Sequence, residues 1–177
     1  MRIAISSRSG CGNTTVTKLV SERLGYPMIN FTFRQMAKER GVDFWEFCRL
    51  AEKDYEIDKE LDRRQVEMAM AVPDCVLGSR LAIWMLEKAD LKVYLTASPE
   101  TRARRIQKRE GGSYDERYSE TIKRDMNDSA RYMKIYGIDN TTPEAVADLV
   151  IETDTKSPEE IAEIILDKAD DIIRARG

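Results

Sequence analysis

The chain has 177 residues, 42% hydrophobic and 34% charged, with 29 Lys and Arg against 32 Asp and Glu and a net charge of −3. That length suits one domain burying roughly 70% of its unfolded surface, and the composition excludes a disordered chain. The slightly acidic balance argues against a general binder of nucleic acid or of anionic membranes. No histidine is present, which removes Ser-His and Cys-His nucleophile systems and the usual zinc ligands. Cys11, Cys48 and Cys75 lack the paired spacing of a disulfide framework or zinc site. A reducing cytoplasm is the expected compartment, because the N-terminus reaches Gly10 and Gly12 too soon for a signal peptide and no apolar run approaches a membrane span.

In chain order, "RIAI" reads as a first strand. A Gly-rich turn follows, then a helix in which Val16, Leu19, Val20 and Leu24 recur at helical spacing until Gly25 stops it. After "PMIN" a helix is predicted from about Thr32 to Arg40, then a short one capped by Asp43 and running through Leu50. A third runs from Asp54 to about Ala71, with Ile57, Leu61, Val66 and Met70 spaced for one apolar face. "DCVLG" and "LKVYLTA" read as short buried strands joined by the helical connection "RLAIWMLEKA". Ser98-Pro99 opens a helix to about Glu110, "EGGS" breaks it, and a longer helix is predicted from about Tyr114 to Tyr136. "ADLVIET" is the last strand, and Ser157-Pro158-Glu159-Glu160 carries a capping-box pattern for the final helix. Strands alternating with helices predict a three-layer α/β/α fold on a parallel sheet.

The turn "SSRSGCGNTT" sits where a phosphate-cradling loop belongs, between a first strand and a first helix. Such loops follow G-x-x-x-x-G-K-[ST]: glycines free backbone N–H groups for phosphate oxygens, the helix N-terminus adds its dipole, lysine reaches the β- and γ-phosphates, and Ser or Thr meets magnesium. Gly12 and Thr14 fit that frame, while Ser7 replaces the first glycine and Asn13 the lysine. A plain structural turn is the competing reading. With no lysine, triphosphate chemistry would draw its positive charge from arginines elsewhere. Arg102, Arg105 and Arg109 form one helical stripe leading into a Gly-rich hinge, as in a mobile lid, and otherwise would be a solvated basic face. Arg124, Asp128 and Arg131 share a face of the next helix, where two arginines could clamp phosphates and the carboxylate could accept from ribose hydroxyls or order an arginine; a surface ion-pair ladder is the alternative. Arg80 follows a strand's carboxyl end, where ligands of parallel sheets bind. Arg34 and the Arg63-Arg64 pair are weaker candidates. Cys11 reads as a small loop residue rather than a nucleophile, and Trp45, Trp84 and the methionines as packing.

On "SGCGNTTV", "FRQMAKERG", "EIDKELDRRQ", "GSRLAIWML", "ADLKVYL", "ETRARRIQKREG", "RDMNDSARYMKIYGID" and "SPEEI", the chain resembles the cytidylate kinases, in the short archaeal-type branch of the nucleoside monophosphate kinase family. That branch typically has threonine where other phosphate loops have lysine. The resemblance implies a P-loop nucleoside triphosphate hydrolase fold in one domain over residues 1–177. Its core would comprise 1–30, 72–101 and 137–177, with a helical NMP-binding insertion at about 31–71 and a lid at about 102–131. It implies transfer of the γ-phosphoryl group of ATP, with Mg²⁺, to CMP and dCMP by a cytoplasmic monomer. Ser9, Gly10, Cys11, Gly12, Asn13, Thr14 and Thr15 would hold the ATP phosphates, Thr14 the magnesium, and Thr155 would border the adenine. Arg34, Arg63, Arg80, Arg124 and Asp128 would bind CMP. Arg105, Arg109, Arg124 and Arg131 would act on the transferring phosphoryl group. Other readings are a related kinase acting on UMP, AMP or another acceptor, or a non-catalytic nucleotide-binding module.

Overall fold

In the computed structural model of the protein, five parallel strands form the sheet: β1 (Arg2–Ser7), β2 (Met28–Ile29), β3 (Cys75–Gly78), β4 (Leu91–Thr96) and β5 (Leu149–Glu152), in the order β2-β3-β1-β4-β5. Residues 1–176 are described, without the side chains at positions 44, 45, 48, 52 and 176, so the readings of Trp45 and Cys48 lie outside the described residues. The strand with the earliest residues occupies the centre, where Ala4 of β1 lies opposite Leu77 of β3 and Lys92 of β4. Strand alternation sends successive side chains to opposite faces. Ile3, Ile5, Val76, Val93 and Leu95 therefore pack against α1 (Asn13–Leu24) and α8 (Pro158–Arg176) through Val16, Val20, Ile161 and Ile165. On the other face Ala4, Leu77 and Tyr94 meet Ala69, Ala82 and Ile83. The three-layer expectation holds, and Trp84 packs edge-on against Tyr94, as a structural tryptophan should.

Between β2 and β3 lie α2 (Phe33–Glu39), α3 (Phe44–Lys53) and α4 (Glu56–Met70), with a small core of their own: Phe31, Met36, Ala37, Phe47, Ala51 and Ile57. The C-terminal part of α4 reaches the main core at Ala69, so this insertion is tied to the sheet at one end. Arg64 on α4 lies 4.1 Å over the Phe31 ring while pairing with Glu39. The buried positions of α4 differ from the expected apolar stripe: Asp58, Asp62 and Gln65 are buried beside Ile57 and Ala69, and Met70 is exposed. The helix turns polar groups inward because they face a cleft instead of oil.

α5 (Ala82–Met85) is one turn, shorter than the predicted connection from Arg80 to Ala89, because the chain leaves helical geometry at Leu86 (φ −89°, ψ 76°). α6 (Pro99–Glu110) begins where its Ser98 cap predicts, Ser98 Oγ accepting from the Thr101 amide, and α7 (Tyr114–Tyr136) begins after the expected break, at a reciprocal capping box of Ser113 and Glu116 that the structure adds. Ser157 and Glu160 form the expected box at α8. Gly111 and Gly112 join α6 to α7 at positive φ. At the start of the lid expected over about 102–131, Arg102 and Ala103 are buried, Arg102 against Gly10 of the phosphate-loop turn and Asp125 of α7. Among the described residues no helix is long and apolar enough to cross a membrane.

Candidate active site

One cleft of about 1220 Å³ opens at the carboxyl ends of β1 and β3, between the turn after β1, the insertion and the α6–α7 pair. Parallel strands place ligand sites there because the following helices all present their N-termini to that edge. The turn supplies the first wall. Gly10 and Gly12 sit at φ 86° and 91°, in the left-handed region that a side chain disfavours. Gly10 has a second constraint, since a Cβ there would lie 2.9 Å from the Cβ of Arg102. Gly12 leads directly into α1, and Ser9 to Thr15 all line the cleft. Cys11 is buried among apolar neighbours, and burial pushes its thiol up to about 11, as a packing residue and not a nucleophile.

Asn13 requires a correction. Its side chain points into the fold: Nδ2 donates to the Ile5 carbonyl at 3.0 Å, and Oδ1 accepts from Thr17 at 3.0 Å. The amide thus stitches α1 to the sheet, and what it can offer a phosphate is its backbone N–H. Gly78 makes that approach possible, because a Cβ on it would meet Thr17 Oγ1 at 2.5 Å and Asn13 Oδ1 at 2.8 Å.

The arginine stripe of α6 also divides. Arg102 is 2% exposed and donates to Asp125 Oδ2 with both terminal nitrogens, at 2.9 and 2.8 Å, so it is a structural group. Arg105 reaches under the turn to the Thr153 hydroxyl (2.9 Å) and carbonyl (2.6 Å) while lining the cleft. Arg109 lines the cleft near its rim and pairs with Glu110.

The opposite wall is made by α7 and α4 with the end of β3. Asp128 bridges two arginines, Arg80 beyond β3 and Arg131 on its own helix. Arg124 stands one turn earlier, and the positive charge of Arg80, with burial, pulls its guanidinium below its ordinary value. Both guanidiniums line the cleft, and like charges gathered there suit an anion. Beside them Asp58 is 4% exposed, lies 3.5 Å from Arg131 Nε and leaves Oδ2 without a hydrogen-bond partner. Burial pushes its carboxyl up. Asp62 accepts a 2.6 Å hydrogen bond from the Tyr136 hydroxyl, and burial raises it to about 6. Arg34 of α2 completes this wall.

The fold therefore brings together Ser9 to Thr15, Arg34, Arg80, Arg105, Arg109, Arg124, Asp128 and Arg131. It leaves out two expected residues. Arg63 is 66% exposed and pairs with Glu67 four residues on, because its position on α4 points away from the cleft. Thr155 lies exposed outside the cleft, whose lining at that edge is Lys156 and Pro158. Asp58, Asp62 and Gln65 were missed. Their signal in the sequence was polar residues recurring at three- and four-residue spacing beside the apolar stripe of α4. Arg8, in the turn itself, also lines the cleft and was passed over. Among the described residues no group of three His, Cys, Asp or Glu could hold a metal ion. A divalent ion there would rest on the exposed Thr14 hydroxyl and on oxygens carried by a ligand, an arrangement that suits Mg²⁺.

Residues 2–155 match the profile of the cytidylate kinase-like family. Over 173 residues the chain is 43% identical to "Cytidylate kinase 2" of Borreliella afzelii, covering 96% of this chain and 97% of the relative. Over 165 residues it is 41% identical to "Cytidylate kinase" of Pyrococcus horikoshii, covering 92% and 85%. Among solved structures, a shikimate kinase from Bacteroides thetaiotaomicron superposes with a TM-score of 0.62 at 17% identity, covering 96% of this chain and 98% of that one. A deoxyadenosine kinase from M. mycoides, with dCMP and dCDP bound, gives 0.58 at 18%, covering 97% and 100%. Those distant likenesses place the fold among the P-loop kinases, and the sequence relationship is much nearer: the chain belongs to the cytidylate kinase-like family.

Proposed function

We propose that the protein transfers the γ-phosphoryl group of ATP to CMP, and to dCMP, acting as a monomer on small-molecule substrates in the cytoplasm. The observation that carries this reading is that Arg80 and Arg124 line the same cleft as the phosphate-loop turn. A nucleoside monophosphate seated there would bring its phosphate between the two guanidiniums. The relatives named cytidylate kinase, at 43% and 41% identity, favour this acceptor over UMP or AMP and over a non-catalytic module.

On the donor side, the amides of Gly10 to Thr15 cradle phosphate oxygens, and Arg105 and Arg109 offset the charge of the phosphoryl group in transit. Mg²⁺ held by Thr14 and the phosphates would neutralise charge on the departing diphosphate. Attack comes from an acceptor phosphate oxygen that already carries negative charge. Little is asked of a base, and catalysis rests on positioning and electrostatics. Asp128 holds Arg80 and Arg131 in place for this. The unpartnered Oδ2 of Asp58 suits the exocyclic amino group of cytosine, a donor, whereas uracil would present a carbonyl oxygen to the same carboxylate.

The test is an ADP-release assay with ATP and Mg²⁺ against CMP, dCMP, UMP, AMP and GMP, with products identified. Rapid CDP formation is expected. Folded protein that binds ATP yet makes no CDP would overturn the reading.

A further inference from the structure

The turn from Ser6 to Thr15 contains one charged residue, Arg8. At the position where phosphate loops carry their cation, the Asn13 side chain is turned into the fold and spends its amide on Ile5 and Thr17. Arg8, by contrast, lines the cleft, and its side chain is 33% exposed.

The exposed Asp139 acts on it only at longer range, and among the described residues its ion pair is with Asp125, at 3.4 Å from Nη1 to Oδ2. That same oxygen accepts both terminal nitrogens of the buried Arg102 at 2.9 and 2.8 Å. One carboxylate thus faces two guanidiniums, which leaves one positive charge in excess. The closer, buried arginine takes the carboxylate, and the excess is carried by the exposed one. A guanidinium steadied at one nitrogen keeps its remaining N–H donors for a planar fork on phosphate oxygens.

We infer that Arg8 is the cation of this phosphate loop: it binds the terminal phosphate of the donor and replaces in charge, from a different position in the turn, the lysine that the loop lacks. The inference rests on the proposed phosphoryl transfer. As the bond from the γ-phosphorus to the β,γ-bridging oxygen breaks and the bond to the acceptor oxygen forms, Arg8 stabilises negative charge on the transferring group, with ADP as the leaving group. Asp125 and Arg102 are positioning residues, since their pairing fixes where Arg8 can rest.

Arg8→Gln, Arg8→Met and Arg8→Lys would be compared with the parent protein for CDP formation and, by titration, for ATP and ADP binding. Loss of the charge in Arg8→Gln should lower kcat by roughly a hundredfold, the scale of removing one preorganised donor, and leave KM for CMP within about threefold. The same variant should weaken ATP binding by about tenfold more than ADP binding, because ADP lacks the phosphate that Arg8 holds. Arg8→Lys, keeping a charge, should recover at least part of the loss. Arg8→Met keeps the aliphatic stem, so it carries the test if Arg8→Gln does not fold. Turnover within about threefold of the parent, or equal weakening of ATP, ADP and CMP, would overturn the inference, since the latter pattern marks a merely structural role. If the parent protein makes no CDP, the reading of its function fails, and the ATP-to-ADP comparison still decides whether Arg8 grips a terminal phosphate.

Discussion

On the proposed reading, the donor wall of the cleft is the glycine-containing turn after β1, which would offer backbone amides to phosphates, whereas the acceptor wall is a set of charged side chains that order one another. Asn13, Gly78 and Thr17 serve the donor side by letting α1 sit close to the sheet. Arg80, Asp128, Arg131 and Asp58 form the acceptor side as a chain of charges in which each depends on its neighbour. A backbone-built cradle tolerates a changed side chain at a position such as Ser7 or Asn13 so long as the turn keeps its shape and Arg8 keeps its charge. A site built from partly buried ions does not, because removing one member strands the others without compensation. This difference explains how the loop can carry Asn13 at the usual lysine position, with the charge supplied from Arg8, while the acceptor wall remains densely charged.

The sharpest way to break this comparison is Asp128→Ala. Both Arg80 and Arg131 lose their shared carboxylate, and turnover should fall by about a hundredfold or more, with CMP binding weakened and ATP binding little changed. Steady-state kinetics in both substrates would read this, and equal damage to ATP binding would mean that the two walls are not separable.

Asp62→Asn probes the cost of the charge itself. The folded protein holds the Asp62 proton more tightly than the unfolded chain does, with a carboxyl raised from 3.8 to about 6. The stability from the protonated form is therefore full below 3.8 and is lost as the pH climbs to about 6. Above that window the buried charge costs on the order of 3 kcal/mol relative to a neutral group. Asn can still accept from Tyr136 and never ionises, so the variant should gain on the parent protein across that window. Urea unfolding of both at pH 4 to 7 would show it as a widening gap; parallel curves would remove Asp62 from the account.

On the donor side the smallest of the three effects is expected. Gly78→Ala puts a Cβ against Thr17 and Asn13 and should cost about 1–3 kcal/mol by overpacking. The melting temperature should drop by several degrees, about 2–4 °C per kcal/mol in a chain of this size. ATP affinity should fall along with it, as α1 is pushed off the sheet. An unchanged melting temperature would mean that the close contact is not what seats the loop.

Much of the architecture was legible because its signals are local. Ser98 and Ser157 cap helices with their own neighbours, Gly25 ends a helix at positive φ, and the short apolar runs read as buried strands wherever they pair. The arginines at 80, 124 and 131 were legible as candidates because they follow a strand end or share a helix face. Arg102 and Arg105 illustrate where that logic stops. They share a stripe by spacing, yet one is sealed under the turn by Asp125 and the other is bound to Thr153, partners that are 23 and 48 residues away in the chain.

By itself, then, the sequence determined the order of elements, the presence of a phosphate-loop turn and the set of arginines available to it, since these follow from propensity, capping and periodicity over a few residues. Tertiary structure decided what each side chain is for. Packing of α1 against β3 turned Asn13 inward, and packing of α4 against α7 buried Asp58 and Asp62 and left Arg63 in solvent. Two guanidiniums converging on Asp125 placed the spare charge on Arg8. Whether a charged group is a surface ornament or part of a site depends on which distant group desolvates or pairs with it, and that information resides in contacts, not in spacing.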